Sequence, residues 1–224
     1  MANIFPRSSN WLPIQILVAL LVLGGAVTAG MWYYFTPKYT RVGYQPVQPV
    51  AFPHDVHVAH LGMDCRYCHS FVEVAAHSNV PTTQVCMNCH SQVQKDNPKL
   101  KPVFDSWQTG KPIEWVQIHK TPDYVYFNHS VHVNRGVSCV SCHGRVDKMP
   151  TVWHHEAQSM DWCLNCHREP EHHLRPVDQV TNLAWNPPQQ EGESREEAQE
   201  RQGLELKKKW HINPPDKNCF GCHR

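Results

Sequence analysis

An excess of charge of either sign is missing: 21 Lys and Arg stand against 20 Asp and Glu in 224 residues, a formal net charge of +1. Without a basic face or tail, non-specific binding to nucleic acid has no electrostatic footing, so no nucleic-acid partner is expected. Charge is wholly absent from residues 11–35, and the uncharged stretch runs from 8 to 37. Beyond that block aliphatic side chains are scarce. A good part of the 41% hydrophobic content lies within it, which leaves too little for a protein-only core. No helical or strand period stands out after residue 35, which predicts short helices and long irregular loops. Cysteine (10) and histidine (17) are abundant instead, and together they point to a bound metal or cofactor.

The uncharged block reads as one membrane helix. At 1.5 Å per residue, 25 residues reach about 37 Å, enough to cross a hydrocarbon core of roughly 30 Å with some tilt. Trp32, Tyr33, Tyr34 and Phe35 at its far end suit a membrane interface. A cleaved signal peptide is the competing reading, because Val27, Thr28 and Ala29 resemble a small-residue cleavage site; the length of the apolar run favours a retained anchor. Arg7 before the span, and Lys38 and Arg41 after it, encode orientation only weakly. A proline-spaced stalk follows, at residues 37–51.

Every cysteine falls into one pattern: Cys65-x-x-Cys68-His69, Cys86-x-x-Cys89-His90, Cys139-x-x-Cys142-His143, Cys163-x-x-Cys166-His167 and Cys219-x-x-Cys222-His223. The gaps between the first and second pairs, and between the third and fourth, would also fit four-cysteine zinc sites. The histidine directly after each second cysteine decides against zinc. At this chain's histidine frequency, five such coincidences have odds of roughly one in 400,000, and the fifth pair has no partner pair. In covalent haem attachment the two thiols add to the haem vinyl groups and the adjacent histidine takes one axial position on iron, so the spacing follows from the chemistry. Five covalently bound haem c groups are therefore expected. Haem is attached outside the cytoplasm, so the part after the span is expected on the periplasmic or exterior side of the inner membrane, with the N-terminus cytoplasmic. Five large apolar macrocycles would also supply the missing core.

Phe52-x-His54-x-x-His57 precedes the first motif and Phe127-x-His129-x-x-His132 the third, an internal repeat of a two-haem module. Histidines at i and i+3 of a helix point only about 60° apart, so the two cannot lie trans on one iron; as ligands they must serve two different haems. Five of the 17 histidines sit in motifs, which leaves twelve for the five remaining axial positions. His54, His57, His129 and His132 are the candidates that the repeat marks. Met149 or Met160 could replace one histidine and would raise that haem's potential. Residues 189–210 pass from Glu191, Glu193, Glu196, Glu197 and Glu200 to Lys207, Lys208 and Lys209. They read as an exposed helix, a solvated spacer or a docking surface, with charges that complement its dipole.

At these residues the chain resembles the class III-type multihaem cytochromes, and over longer strings it resembles the pentahaem cytochrome subunits of bacterial alternative complex III. The strings are DCRYCHSFVEVAA, VPTTQVCMNCH, IHKTPDYVYFNHSVHVNRGVSCVSCHGRVDKMP, SMDWCLNCHREPE and LRPVDQVTNLAW, with NCFGCHR at the end. The resemblance implies a mainly α fold with extensive irregular loops wrapped around five haems, plus the N-terminal transmembrane helix. It adds His119 as a fifth distal ligand and pairs His54 with the haem at Cys65 and His129 with the haem at Cys139. His60, His77, His154, His155, His172, His173 and His211 are left as surface or hydrogen-bonding residues, with His77 and His154 in reserve because each stands nine residues before a motif. The expected layout is a tail and anchor at 1–36, the stalk at 37–51, haem modules at 52–118 and 119–188, and a charged helix with the fifth motif at 189–224.

Three functional classes follow. An electron-transfer subunit, not itself an enzyme, would relay electrons from quinol-oxidising polytopic and iron–sulfur subunits to a downstream cytochrome c or terminal oxidase, anchored in lipid by residues 11–35. A catalytic multihaem enzyme needs an open iron, often marked by an altered motif, yet all five motifs here end in histidine. A self-contained anchored quinol dehydrogenase feeding a periplasmic reductase shares the layout, but such cytochromes usually carry four haems and lack the repeat.

Overall fold

The computed structural model describes residues 6–35 and 41–223. Residues 1–5, 36–40 and 224 lie outside it, and with them the N-terminal end of the tail, Lys38 and the start of the expected stalk. A 3-10 turn (Arg7–Trp11) leads into α1 (Leu12–Phe35). Together they are long and apolar enough to cross a membrane, and none of their apolar surface is buried against the chain.

The rest is short helices joined by loops: α2 (Cys65–Cys68), α3 (Thr83–His90), α4 (Lys101–Thr109), α5 (His129–Val133), α6 (Cys139–His143), α7 (Met160–Arg168) and α8 (Arg195–Lys209). There is no strand among the described residues, only the isolated bridges Val125 to His223 and Val137 to Leu174. The molecule exposes 15906 Å², whereas a compact chain of its mass exposes about 10,500 Å². Part of the excess is α1. The remainder reflects a sparse side-chain core, in which Val50, Val72, Val103, Val133, Met149, Leu174, Val180, Leu183 and Ala198 are the buried apolar residues.

Local chemistry starts the motif helices. The residue before the first cysteine caps the helix in the first, third and fifth motifs: Asp64 accepts from the Arg66 N–H, Ser138 from Val140, and Asn218 from Phe220. In the fourth, Ser159 caps α7 from further back. Each supplies an acceptor to an otherwise orphaned N–H.

The two repeated segments meet across backbone bonds. His129 and Ser130 N–H donate to the carbonyls of Ala76 and Ala75 at 3.0 and 3.2 Å, and the Asn134 amide donates to Glu73 at 2.8 Å. Thr181 Oγ1 ties to Asp64 at 2.9 Å. Val72, Val133 and Val180 pack there against Cys139.

Residues 41–50, expected as a stalk, lie along the second half of the chain. Gly43 N–H donates to the His154 carbonyl, and His154 N–H donates to Tyr44. Gln48 bonds both ways with the Val116 backbone. The charged helix also proves to be packed. A methyl at Gly203 of α8 would run into the carbonyl of Glu171, Lys207 pairs with Glu171 at 2.7 Å, and Gln199 donates to the carbonyls of Glu171 and Leu174. One face of the helix, with Ala198 and Gly203, is buried, so the helix is not a freely solvated spacer.

Candidate haem sites

In each repeat a phenylalanine holds two imidazoles. Phe52 meets His54 edge-on at 4.8 Å and stacks on His57 at 4.3 Å; Phe127 meets His129 at 4.8 Å and His132 at 4.5 Å with nearly the same angles. The second histidine of each repeat gives its Nδ1–H to the carbonyl four residues back, His57 to Pro53 at 2.9 Å and His132 to Asn128 at 2.7 Å. A carbonyl can only accept, so Nδ1 carries the proton and Nε2 is left as the free lone pair. The backbones differ: His129 opens the α-helical turn α5, whereas His54 caps a π-helical turn, Asp55–His60.

These free nitrogens face motif histidines. Ring centres are 6.3 Å apart for His57 and His90, 6.1 Å for His132 and His167, and 6.4 Å for His129 and His143. Metal–nitrogen bonds of about 2.0 Å, plus ~1.1 Å from nitrogen to ring centre on each side, set two imidazoles trans on one metal about 6.3 Å apart. Nδ1 donates to a carbonyl in His90 (Val93), His129 (Ala76) and His167 (Pro215) as well, as in His69 (Asn79) and His223 (Tyr124). Such bonds fix the tautomer and orientation that a metal-bound imidazole needs.

Burial keeps the rings neutral. It is the largest cause lowering His54 to about 4 and His143 to about 3, and it also lowers His129 and His132. His69 is the charged neighbour that lowers His54 next after burial. The donor set thus fits haem: the motif cysteines stand beside paired imidazoles, and unpartnered buried nitrogens remain at His54 Nδ1, His119 Nε2 and His154 Nε2.

His119 does not come to the fifth motif. It lies against His143 at 4.3 Å and His154 at 5.1 Å, too close for either ring to be its trans partner on one iron. Burial lowers His119 to about 4. At the fifth motif, His223 meets the Tyr124 ring at 5.7 Å, and no second imidazole makes ring contact with it among the described residues. His154, expected as a surface or hydrogen-bonding residue, is only 1% exposed. It does donate through Nδ1 to Ile118 at 3.2 Å, but its cover comes from the distant segments around Tyr44 and Ile118. Its position nine residues before a motif was the only sequence signal. Of the two methionines, Met149 is 1% exposed and Met160 62%, so only Met149 lies in the interior. His60, His77, His155, His172, His173 and His211 are exposed.

Residues 50–107 match the family model described as cytochrome c7 and related cytochrome c. Over 168 residues the chain is 30% identical to the multiheme cytochrome c subunit of menaquinone reductase from Nitratidesulfovibrio vulgaris, covering 66% of this chain and 78% of that one. It is 25% identical over 113 residues to the cytochrome subunit of acrylate reductase from Shewanella woodyi, covering 50% and 70%. It is 24% identical over 211 residues to cytochrome c-552 of Maridesulfovibrio salexigens, covering 70% and 42%.

Proposed function

The chain belongs to the multihaem c-type cytochromes, the family of cytochrome c7 and its relatives, and from that premise we propose that it is the membrane-anchored pentahaem electron-transfer subunit of a quinol:acceptor oxidoreductase of the alternative complex III kind. When bound, each haem supplies one iron that cycles between ferric and ferrous and so carries one electron. The chain's own residues hold it: Cys65 and Cys68, Cys86 and Cys89, Cys139 and Cys142, Cys163 and Cys166, and Cys219 and Cys222 form the thioethers. His69, His90, His143, His167 and His223 are the proximal ligands. His57, His129 and His132 would be the distal ligands of the haems of the second, third and fourth motifs, and His54 that of the first. His119, packed beside His143, is the remaining distal candidate, with His154 and Met149 as buried alternatives, and no side chain is assigned opposite His223.

One observation carries this reading: three imidazole pairs at 6.1–6.4 Å, most of their rings held by an Nδ1–H bond to a carbonyl. Two strong ligands on an iron leave no open position for a substrate and little to rearrange on redox change, which suits a carrier and not a catalyst. The anchor α1 sits in the inner membrane with the haem-bearing part on the periplasmic or exterior side. Electrons come from polytopic and iron–sulfur subunits and go to a downstream cytochrome c or terminal oxidase. Gentle purification from native membranes tests the assembly: those subunits should accompany the chain, and the chain alone should not oxidise quinol. Quinol oxidation by the isolated chain at a useful rate makes it a self-contained dehydrogenase instead.

The relative that is a menaquinone reductase subunit favours one second reading, in which the same subunit passes electrons towards quinone. Net quinone reduction by the purified complex from a reduced cytochrome, with no quinol oxidation, selects it.

A further inference from the structure

The five attachment motifs do not neighbour one another in the order in which they occur in the chain. The first and third meet at one junction: Cys139 packs against the Val72, Val133 and Val180 cluster, Thr181 ties to Asp64 beside Cys65, and the backbone bonds of His129 and Ser130 to Ala76 and Ala75 lock the two segments together. The second motif joins the first. The Asn88 amide donates to the Tyr67 hydroxyl at 3.1 Å, and the ring of His57, from the segment before the first motif, lies 6.3 Å from that of His90. On its other side the helix of the second motif packs on α4, where the Thr83 and Ser106 hydroxyls hydrogen-bond at 2.7 Å.

The third and fourth motifs share α5, since His129 faces His143 and His132 faces His167. The fourth and fifth motifs join through Pro215, which accepts from His167 Nδ1 at 3.1 Å and lies against Gly221. Exposure agrees independently. Cys89 and Cys219 are the exposed cysteines, one in the second motif and one in the fifth, and the other eight are partly covered.

We propose that the motifs stand in single file in the order second, first, third, fourth, fifth, so that the Cys86/Cys89 and Cys219/Cys222 motifs are the two ends at which redox partners meet the chain. The repeat explains the inversion. Each repeated segment binds its own two motifs, and the two copies meet through their first motifs, which puts the second motif on the outside of the pair. The fifth end is the more open: Phe220 is 79% exposed and Tyr124 65%, beside the bridge from Val125 to His223.

The order rests on the reading of the chain as a five-haem carrier, and the test separates the two. Intact mass of the full membrane-extracted chain first counts covalent haems; fewer than five overturns the carrier reading, whatever the order. In His129→Met, methionine raises the potential of the third haem, so it is reduced early, and its added charge opposes reduction of close neighbours more than of distant ones. Redox titration followed by EPR, with each haem identified from its own distal-ligand variant, should then show the first and fourth haems shifting to lower potential while the second and fifth hold. A shift of the second haem with the first unmoved overturns the proposed order in favour of chain order. If His129→Met loads haem poorly, His57→Met on the second haem gives a second reading: the first haem should shift and the third should not, and a shift at the third overturns the proposal.

Discussion

His57 and His132 show how a few atoms commit a histidine to a metal. Each gives Nδ1–H to the carbonyl four residues back, each rests on a phenylalanine ring, and each lies just over 6 Å from a motif histidine, ring centre to ring centre. Replacing either with alanine should convert one haem to high spin without loss of covalent haem, seen by EPR and absorption; a wholly low-spin spectrum rejects that ligand. Replacing exposed His60 or His77 should leave every haem low-spin. Asp64 sets a pH dependence. Its bonds to Arg66 hold its carboxyl down at about 2, from an ordinary value of 3.8, so the ionised form favours the fold. That contribution is complete above about pH 4 and is lost as pH falls towards 2. Asp64→Asn keeps a helix cap but removes the charge, and should flatten the acid-unfolding curve over that window. The paired placement of the repeat histidines was legible in sequence because the pattern occurs twice. His154 was not, because its burial is made by residues far away in the chain.

Among the elements, α8 shows what charge patterning can and cannot tell. Its start was legible: Ser194 and Glu197 form a reciprocal capping box, and the last turn carries Lys207, Lys208 and Lys209, as expected for a helix dipole. Its docking was not, because the contact depends on the missing side chain of Gly203 in an otherwise polar sequence, and a lone small residue leaves no hydrophobic period. Gly203→Ala forces the helix off Glu171 and should cost about 1–3 kcal/mol, seen as a lower thermal midpoint and faster protease cleavage before the fifth motif. Lys207→Ala removes only a partly exposed ion pair and should cost less than about 1 kcal/mol. The motif helices are only three to nine residues long and too short to persist alone. Their sequence signal was the motif itself and a polar cap before it, and periodicity contributed nothing.

For the molecule as a whole, the shortage of aliphatic residues and the sparse observed core have one explanation: the chain is shaped to close around a cofactor that does most of the packing. The long apolar helix α1 was legible from the absence of charge alone. Removing α1 while keeping an export signal should release the protein from membranes with its haem count unchanged, as read by fractionation and absorption. The central claim, that all five motifs carry haem and none carries zinc, is tested most directly by intact-protein mass spectrometry of the chain purified from its native membranes. Five covalent haems on every chain, with no zinc, is the predicted result; four or fewer haems at full maturation, or bound zinc in place of any of them, contradicts it.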